Sequence, residues 1–301
     1  MRARNFHKPE RRSAFCASAM MRQLSRASLL CLATYVSSAK AQLPLSIETL
    51  LMPPSTFTVS TQAHWRQARQ PVLARRNDDS GGAFLSLGHR SVEQGIASVG
   101  ARYGVSRRME LKGRVSHRQT RWRAPGNPAI SGKGYRAAMG LSWLLQPERG
   151  APAVLLDAEV DLLSRAATPG AGQEWLDGIG FGVTTYRSLD PVVLSLSANY
   201  RRQRERSIDP GGSGASETLF LAPQVNFAVN AQVTLVGGLS VQYQTGNVSL
   251  LDDRGSSVST ALRLGIGYAA GRHTTLFLNT NVATSGADRG AGFDLEWLYR
   301  F

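Results

Sequence analysis

The sequence has 301 residues, with 35 Lys and Arg against 21 Asp and Glu and a formal net charge of +14. Residues 1–41 hold eight of the basic residues, one acidic residue and both cysteines, which leaves 27 basic and 20 acidic residues and a net charge of +7 in the other 260. That cysteine-free remainder excludes a disulfide framework and a cysteine-based metal site. Its modest charge removes the main support for nucleic-acid binding.

The first predicted element is a secretory signal peptide within residues 1–41. Two arginines precede the short apolar run Ala27–Val36, and Ala39-Lys40-Ala41 forms an A-x-A site, so we expect cleavage after Ala41. The run is too short to span a bilayer as a helix. The residues before Met20 suit neither a signal peptide nor a folded domain. We therefore expect translation to start at Met20 or Met21, a long n-region being the alternative.

The next predicted element is a short periplasmic segment, residues 42–54. Ser46, followed by Glu48 and two leucines, predicts a short helix with Ser46 as its N-cap. Two roles stay open for this segment. It would either lie in the mouth of a barrel as a plug or serve as a disordered linker.

Residues 55–301 are predicted to form an all-β transmembrane barrel. The chain after residue 41 offers no run of roughly 18 apolar residues, so it could enter a membrane only as a closed barrel. Twelve segments alternate between apolar and polar side chains, which is the period of a β-strand. They are residues 55–66, a segment that ends in residues 97–105, and residues 109–116, 135–145, 154–162, 178–183, 194–201, 218–229, 233–243, 261–268, 275–282 and 293–301. Pro223 in the eighth segment is expected at an unpaired or bulged position.

The connections between these segments predict an antiparallel up-and-down topology. Short links follow the even-numbered segments, and longer links follow the odd-numbered ones, as in barrels with short periplasmic turns and long outer loops. This rhythm predicts that both termini face the periplasm. The longer links are Arg123–Lys133, Ser164–Glu174, Glu205–Ser216 and Thr245–Ser256.

The last segment places five large apolar residues on one strand face: Phe293, Leu295, Trp297, Tyr299 and Phe301. It resembles the C-terminal strand of Gram-negative outer-membrane barrels, in which a terminal Phe preceded by alternating apolar residues is the assembly signal. The resemblance implies recognition by the barrel-assembly machinery. It also implies a location in the outer membrane.

Charged residues on the opposite strand faces are predicted to line the lumen. The candidates are Lys112, Arg114, Arg118, Arg136, Asp157, Glu159, Asp161 and Arg263. Basic residues on the third and fourth segments and acidic residues on the fifth could set up a transverse field that orients polar solutes. Alternatively, the neighbouring rows neutralise one another and stiffen the wall. Inward glycines in the sixth segment, Gly178, Gly180 and Gly182, are expected to leave room for a solute or a plug.

Two basic runs, His117–Arg123 and Arg201–Arg206, fall at the predicted outer ends of strands. At that height, arginines would meet the phosphates of outer-membrane lipid and lipopolysaccharide, which a guanidinium binds through two parallel hydrogen bonds. The candidate contacts are Arg121, Arg123, Arg202 and Arg204. Nucleic-acid binding is the disfavoured alternative for both runs.

No enzymatic motif stands out in the sequence. G-x-S-x-G, H-E-x-x-H and P-loop patterns are absent. His89-Arg90-Ser91 resembles the H-x-S spacing of an outer-membrane lipid A deacylase, but that family forms a smaller, eight-stranded barrel. Ser116 and His117 are adjacent and therefore face opposite sides of a strand, so they cannot form a nucleophile–base pair. We predict a non-enzyme without a metal or cofactor.

In length, strand number and leading segment, residues 44–301 resemble the transporter barrels attached to phenol-degradation operons, and more remotely the twelve-stranded channels that export functional-amyloid subunits. The resemblance implies a porin-like channel or transporter that passes small polar or amphipathic solutes, peptide export being a variant. The other possibilities are a non-conducting structural or adhesion barrel and a lipid-modifying outer-membrane enzyme.

Overall fold

The computed structural model describes residues 51–77, 83–123, 128–167, 172–204, 215–249, 252–283 and 289–301. Within these ranges, no helix has both the length and the apolar character that crossing a membrane requires. The predicted signal peptide, its cleavage site and the helix capped by Ser46 lie outside the described residues.

The described residues form thirteen strands. They are β1 (Phe57–Asn77), β2 (Ala83–Ser106), β3 (Met109–Arg123), β4 (Ile130–Gln146), β5 (Ala153–Arg165), β6 (Gln173–Trp175), β7 (Gly178–Leu189), β8 (Val192–Gln203), β9 (Ser216–Ala228), β10 (Val233–Ser249), β11 (Asp252–Ala269), β12 (Thr274–Ala283) and β13 (Arg289–Arg300).

Twelve of these strands close into an antiparallel barrel, as the alternation predicts. Consecutive strands pair in order, and β1 pairs with β13 to complete the ring. The three-residue strand β6 pairs with the end of β5, beyond the part of β5 that pairs with β7. At the closing seam, the backbone N–H of Phe301 donates to the carbonyl of Phe57 (2.9 Å). Each of these twelve strands therefore has a paired strand on both sides, as a barrel in lipid requires.

The two faces of each strand meet different surroundings. Large apolar side chains such as Val115 (61 % exposed) and Phe181 (57 %) project from the outer face. Polar side chains such as Glu110, Ser142 and Asp161 are buried on the inner face. This is an outward apolar band around a polar interior, the pattern of a barrel that faces lipid.

Several strands are longer than the alternation predicts. The first predicted segment ends at Arg66, but β1 continues to Asn77 and pairs with β2 over that whole length. The predicted loop Thr245–Ser256 is wrong, because β10 and β11 keep pairing as far as Ser249 and Asp252, with irregularities near Asn247. A β-ladder joins backbone groups, so it continues beyond the membrane without any apolar alternation.

Two local departures from regular pairing matter for the sites below. Pro223 pairs in register with Leu196 of β8, but the β9–β10 ladder is interrupted between Gln224 and Leu221, so Pro223 lies at the kind of position that the sequence predicts. In β5, a register shift after Asp161 inserts one extra residue. This bulge reverses the alternation, so that Arg165 faces outward opposite Tyr135.

The first residue of β1, Phe57, and the last residue of the sequence, Phe301, lie at the end of the barrel that also carries the tight β2–β3 turn. The sequence predicts that this end faces the periplasm, and we call it the periplasmic end. The opposite end is called the outer end.

Candidate functional site: the lumen wall and the periplasmic mouth

Six charged side chains form two neighbouring groups of ion pairs on the inner wall formed by β3, β4, β5, β7 and β8. Three are basic and three acidic: Lys112, Arg136, Arg201, Asp157, Glu159 and Asp161. We call this set the wall network. Lys112 Nζ lies 2.7 Å from Asp157 Oδ1, and the Ser142 hydroxyl donates to the same carboxylate oxygen.

The other four members form a closed square of ion pairs. Arg136 donates from Nε to Asp161 Oδ1 (2.5 Å) and from Nη2 to Glu159. Arg201 donates from Nη1 to Glu159 Oε1 (3.2 Å) and from Nη2 to Asp161. Asp161 is only 1 % exposed, so its negative charge is stabilised by the two guanidinium groups in place of water.

Glycines allow these pairs to form between strands that are not neighbours. Arg201 on β8 reaches β5 across the inward face of β7, which carries only Gly178, Gly180 and Gly182 at this height. A Cβ at Gly178 would lie 2.8 Å from Asp161 Oδ2 and 3.4 Å from the Arg201 guanidinium. The space that the sequence assigned to a solute or plug is therefore partly filled by the arginine.

Lys112 also reaches β5 across a glycine of an intervening strand, here β4 in place of β7. It lies opposite Gly140 of β4, which in turn lies opposite Glu159 of β5. The lysine side chain therefore crosses β4 to reach Asp157. With three positive and three negative groups, the wall network has no net charge. This geometry favours mutual neutralisation of the basic and acidic rows over a strong transverse field.

A second polar group lies on β1, β11 and β13. Asp294 is buried, and its Oδ2 accepts from Gln62 Nε2 (2.7 Å) and lies 3.6 Å from His64 Nδ1. Asp294 Oδ1 and Arg263 Nε are buried and have no hydrogen-bond partner among the described residues. Arg114 and Arg118 also project inward, from β3. No group of three or more His, Cys, Asp or Glu in the described ranges could hold a metal ion.

The periplasmic mouth is crossed by residues 51–54, which we call the N-terminal strap. The Met52 backbone N–H donates to Glu110 Oε2 (2.7 Å). Glu110 is fully buried, and Arg102 holds it through two bonds, Nε to Oε1 (2.7 Å) and Nη2 to Oε2 (2.8 Å). The strap is therefore fixed to a buried ion pair on β2 and β3.

The far end of the strap packs on the other side of the mouth. Leu51 joins a buried apolar cluster with Ala153, Leu155 and Tyr186, on β5 and β7. The strap also lies close against β2. Gly104 permits this approach, since a Cβ at that position would overlap the carbonyl oxygen of Pro53. These contacts support the plug interpretation for residues 51–54; residues 42–50 lie outside the described ranges.

The four predicted lipopolysaccharide contacts, Arg121, Arg123, Arg202 and Arg204, are exposed on the outer face near the outer end. The structure adds three basic residues on the same face, Arg69 of β1, Lys133 of β4 and Arg165 of β5. None of them lies in the two basic runs, and Arg165 follows the bulge in β5. Sequence periodicity therefore did not identify them.

The aromatic face of β13 lies at the closing seam. Phe301 contacts Phe57 (ring centroids 5.7 Å apart), and Phe293 stacks on Trp65 of β1 (5.6 Å). Leu295 and Trp297 also face outward. The role of this face as an assembly signal stays a prediction.

No family model and no curated protein matches the sequence. Among solved structures, the chain is similar to an outer-membrane channel from Pseudomonas putida F1, with a TM-score of 0.56 and 10 % identity over 89 % of this chain and 100 % of that chain. It is also similar to the translocator domain of the autotransporter NalP from Neisseria meningitidis, with a TM-score of 0.55 and 9 % identity over 95 % and 98 % of the two chains. The chain has the fold of an outer-membrane β-barrel.

Proposed function

We propose that the protein is a channel of the Gram-negative outer membrane that passes small polar or amphipathic solutes. The observation that carries the proposal is the wall network. Its side chains lie across glycines and bond to one another along the wall, so they give the lumen a polar lining without each needing water or a counter-ion.

The lining suits solutes that combine polar and apolar parts. The wall network is neutral as a set, so it offers hydrogen-bonding groups of both signs without a net barrier to either kind of ion. Inward aromatic residues add apolar surface; Phe277, for example, lies over Gly267, whose Cβ would come within 2.7 Å of the ring. The two similar structures, an outer-membrane channel and the translocator domain of an autotransporter, support passage through the barrel.

The N-terminal strap favours a second candidate, a barrel that is closed at rest. Leu51 and Met52 are buried in the periplasmic mouth, where they reduce its cross-section. A channel would then conduct when the strap leaves the mouth, whereas a structural or adhesion barrel would never conduct. An enzymatic role has less support, because Ser116 faces the lumen and His117 faces outward.

Liposome swelling distinguishes these functions. The protein purified from outer membranes is reconstituted with a neutral sugar or an amino acid as the osmotic solute. We expect swelling that depends on solute size, and faster swelling for the Leu51→Ala variant, which loosens the strap. If neither protein causes swelling although heat-modifiable gel mobility shows folded barrels, the protein is not a channel, and a structural or adhesion role is favoured.

A further inference from the structure

The outer face carries a belt of basic side chains near the outer end. Its members are Arg121 and Arg123 on β3, Lys133 on β4, Arg165 on β5, Arg202 on β8 and Arg204 directly after β8, all exposed. We call them the outer basic belt. On β10, β12 and β13, residues near the outer end on the same face are uncharged, namely Tyr243, Val282 and Phe293. Arg69 of β1, exposed on the same face and opposite Ser91 like Arg123, extends the positive charge past β3.

Acidic neighbours do not cancel this belt. Glu93 lies opposite Arg121, and Glu217 lies 3.8 Å from Arg202, at an exposed position where an ion pair contributes little. The other belt members form no ion pair with a described residue. Six basic groups against two acidic ones leave a net positive surface.

The belt lies at the height of the lipid head groups. β3 has 15 residues, so at about 3.3 Å per residue and a tilt of about 45° it rises roughly 35 Å. The apolar band of such barrels is about 25 Å tall. The last outward residues of β3, Arg121 and Arg123, therefore lie just beyond the band. Trp175 of β6, 67 % exposed, lies opposite Leu163, two residues from Arg165 along β5, as expected at a membrane interface.

An apolar groove of about 490 Å³ begins directly below Arg202 on the same face. It runs across β8, β7, β5 and β4, from Tyr200 to Trp143, with Phe181 along its side. Tyr200 is two residues before Arg202, about 7 Å along the strand. The groove exists because Ala158 and Ala198 stand where neighbouring outward positions carry large residues.

We propose that this side of the barrel is a binding site for one lipopolysaccharide molecule. Lys133, Arg165 and Arg202 bind its phosphates, and one of its acyl chains lies in the groove above Ala158 and Ala198. Charge at the head-group height and a groove at the acyl-chain height are separate observations. A phosphorylated lipid of the outer leaflet matches both, because guanidinium groups pair with phosphate and an acyl chain fills apolar space.

Native mass spectrometry of the protein purified from outer membranes tests the site. Deep-rough lipopolysaccharide is titrated, and the bound fraction is compared with that for its dephosphorylated form and for phosphatidylglycerol. We expect one tightly bound lipopolysaccharide, and binding at least tenfold weaker in K133Q/R165Q/R202Q, since each basic residue near an anionic lipid surface contributes about fivefold. The groove-filling variant A158L/A198L should also bind more weakly.

Matched controls separate the site from general effects. R107Q/R108Q removes two exposed charges at the periplasmic end of β2 and β3, and A97L adds a leucine to the outer face of β2, away from the groove. Both should bind as the unmodified protein does. Equal losses in the controls, unchanged binding by the belt variant, or equal binding of dephosphorylated lipopolysaccharide or phosphatidylglycerol would each overturn the proposal.

Discussion

Replacing Glu110 with Gln should release the N-terminal strap more often. The carboxylate accepts the Met52 backbone N–H and both bonds from Arg102 while fully buried. An amide keeps one acceptor for Met52 but loses the charge, which turns a charge-assisted bond into a neutral one. That difference is on the order of 1 kcal/mol. The strap's open population should therefore rise about fivefold.

The assay for this prediction is the open probability of single channels at a fixed voltage. Leu51→Ala should act in the same direction and more strongly, because truncating a buried leucine costs about 2 kcal/mol or more. The matched control is Glu148→Gln, an acid at the periplasmic end that accepts from Ser188 and does not touch the strap. If E110Q and L51A gate like the unmodified protein, or if E148Q opens as readily as they do, the strap does not control the mouth.

Three further predictions concern the wall network and the seam. Gly178→Ala places a Cβ 2.8 Å from a carboxylate oxygen of the network and should lower the free energy of unfolding in urea by about 1–3 kcal/mol. Gly237→Ala, whose Cβ would meet nothing within 4 Å, should lower it far less. Equal losses would contradict the packing argument. Asp161→Asn leaves two arginines sharing one carboxylate, so the reversal potential in a salt gradient should shift toward anion selectivity, and an unchanged potential would remove the network from the conduction path. Deleting Phe301 should reduce the heat-modifiable barrel recovered from outer membranes, and normal insertion would count against its role as an assembly signal.

The barrel could be predicted from the sequence because lipid on one side and polar groups on the other impose a period of two residues. Alternation also placed Lys112, Arg136 and the acidic residues of β5 on the inner face. The partners of these residues could not be predicted in the same way. Arg201 reaches Asp161 only because β7 is all glycine at that height, and alternation does not show which side chains cross a neighbouring strand.

Arg165 shows a second limit of sequence periodicity. Val160 faces outward, so strict alternation would place Arg165, five residues later, on the inner face. The extra residue in β5 moves Arg165 to the outer face. A bulge leaves no reliable mark in a single sequence. The lengths of β1 and β10 were underestimated for a different reason, since pairing outside the membrane carries no apolar alternation. The strap's position follows from Gly104 and Glu110, which lie far from it in the chain.

Single-channel recording shows whether the barrel conducts and whether the strap gates it. The protein purified from outer membranes is inserted into a planar bilayer, beside E110Q and L51A. We expect discrete conductance steps, with the two variants open for a larger share of the time and D161N altered in ion selectivity. If no conductance appears from the unmodified protein or from either strap variant, although all three are folded barrels, the protein does not form a channel.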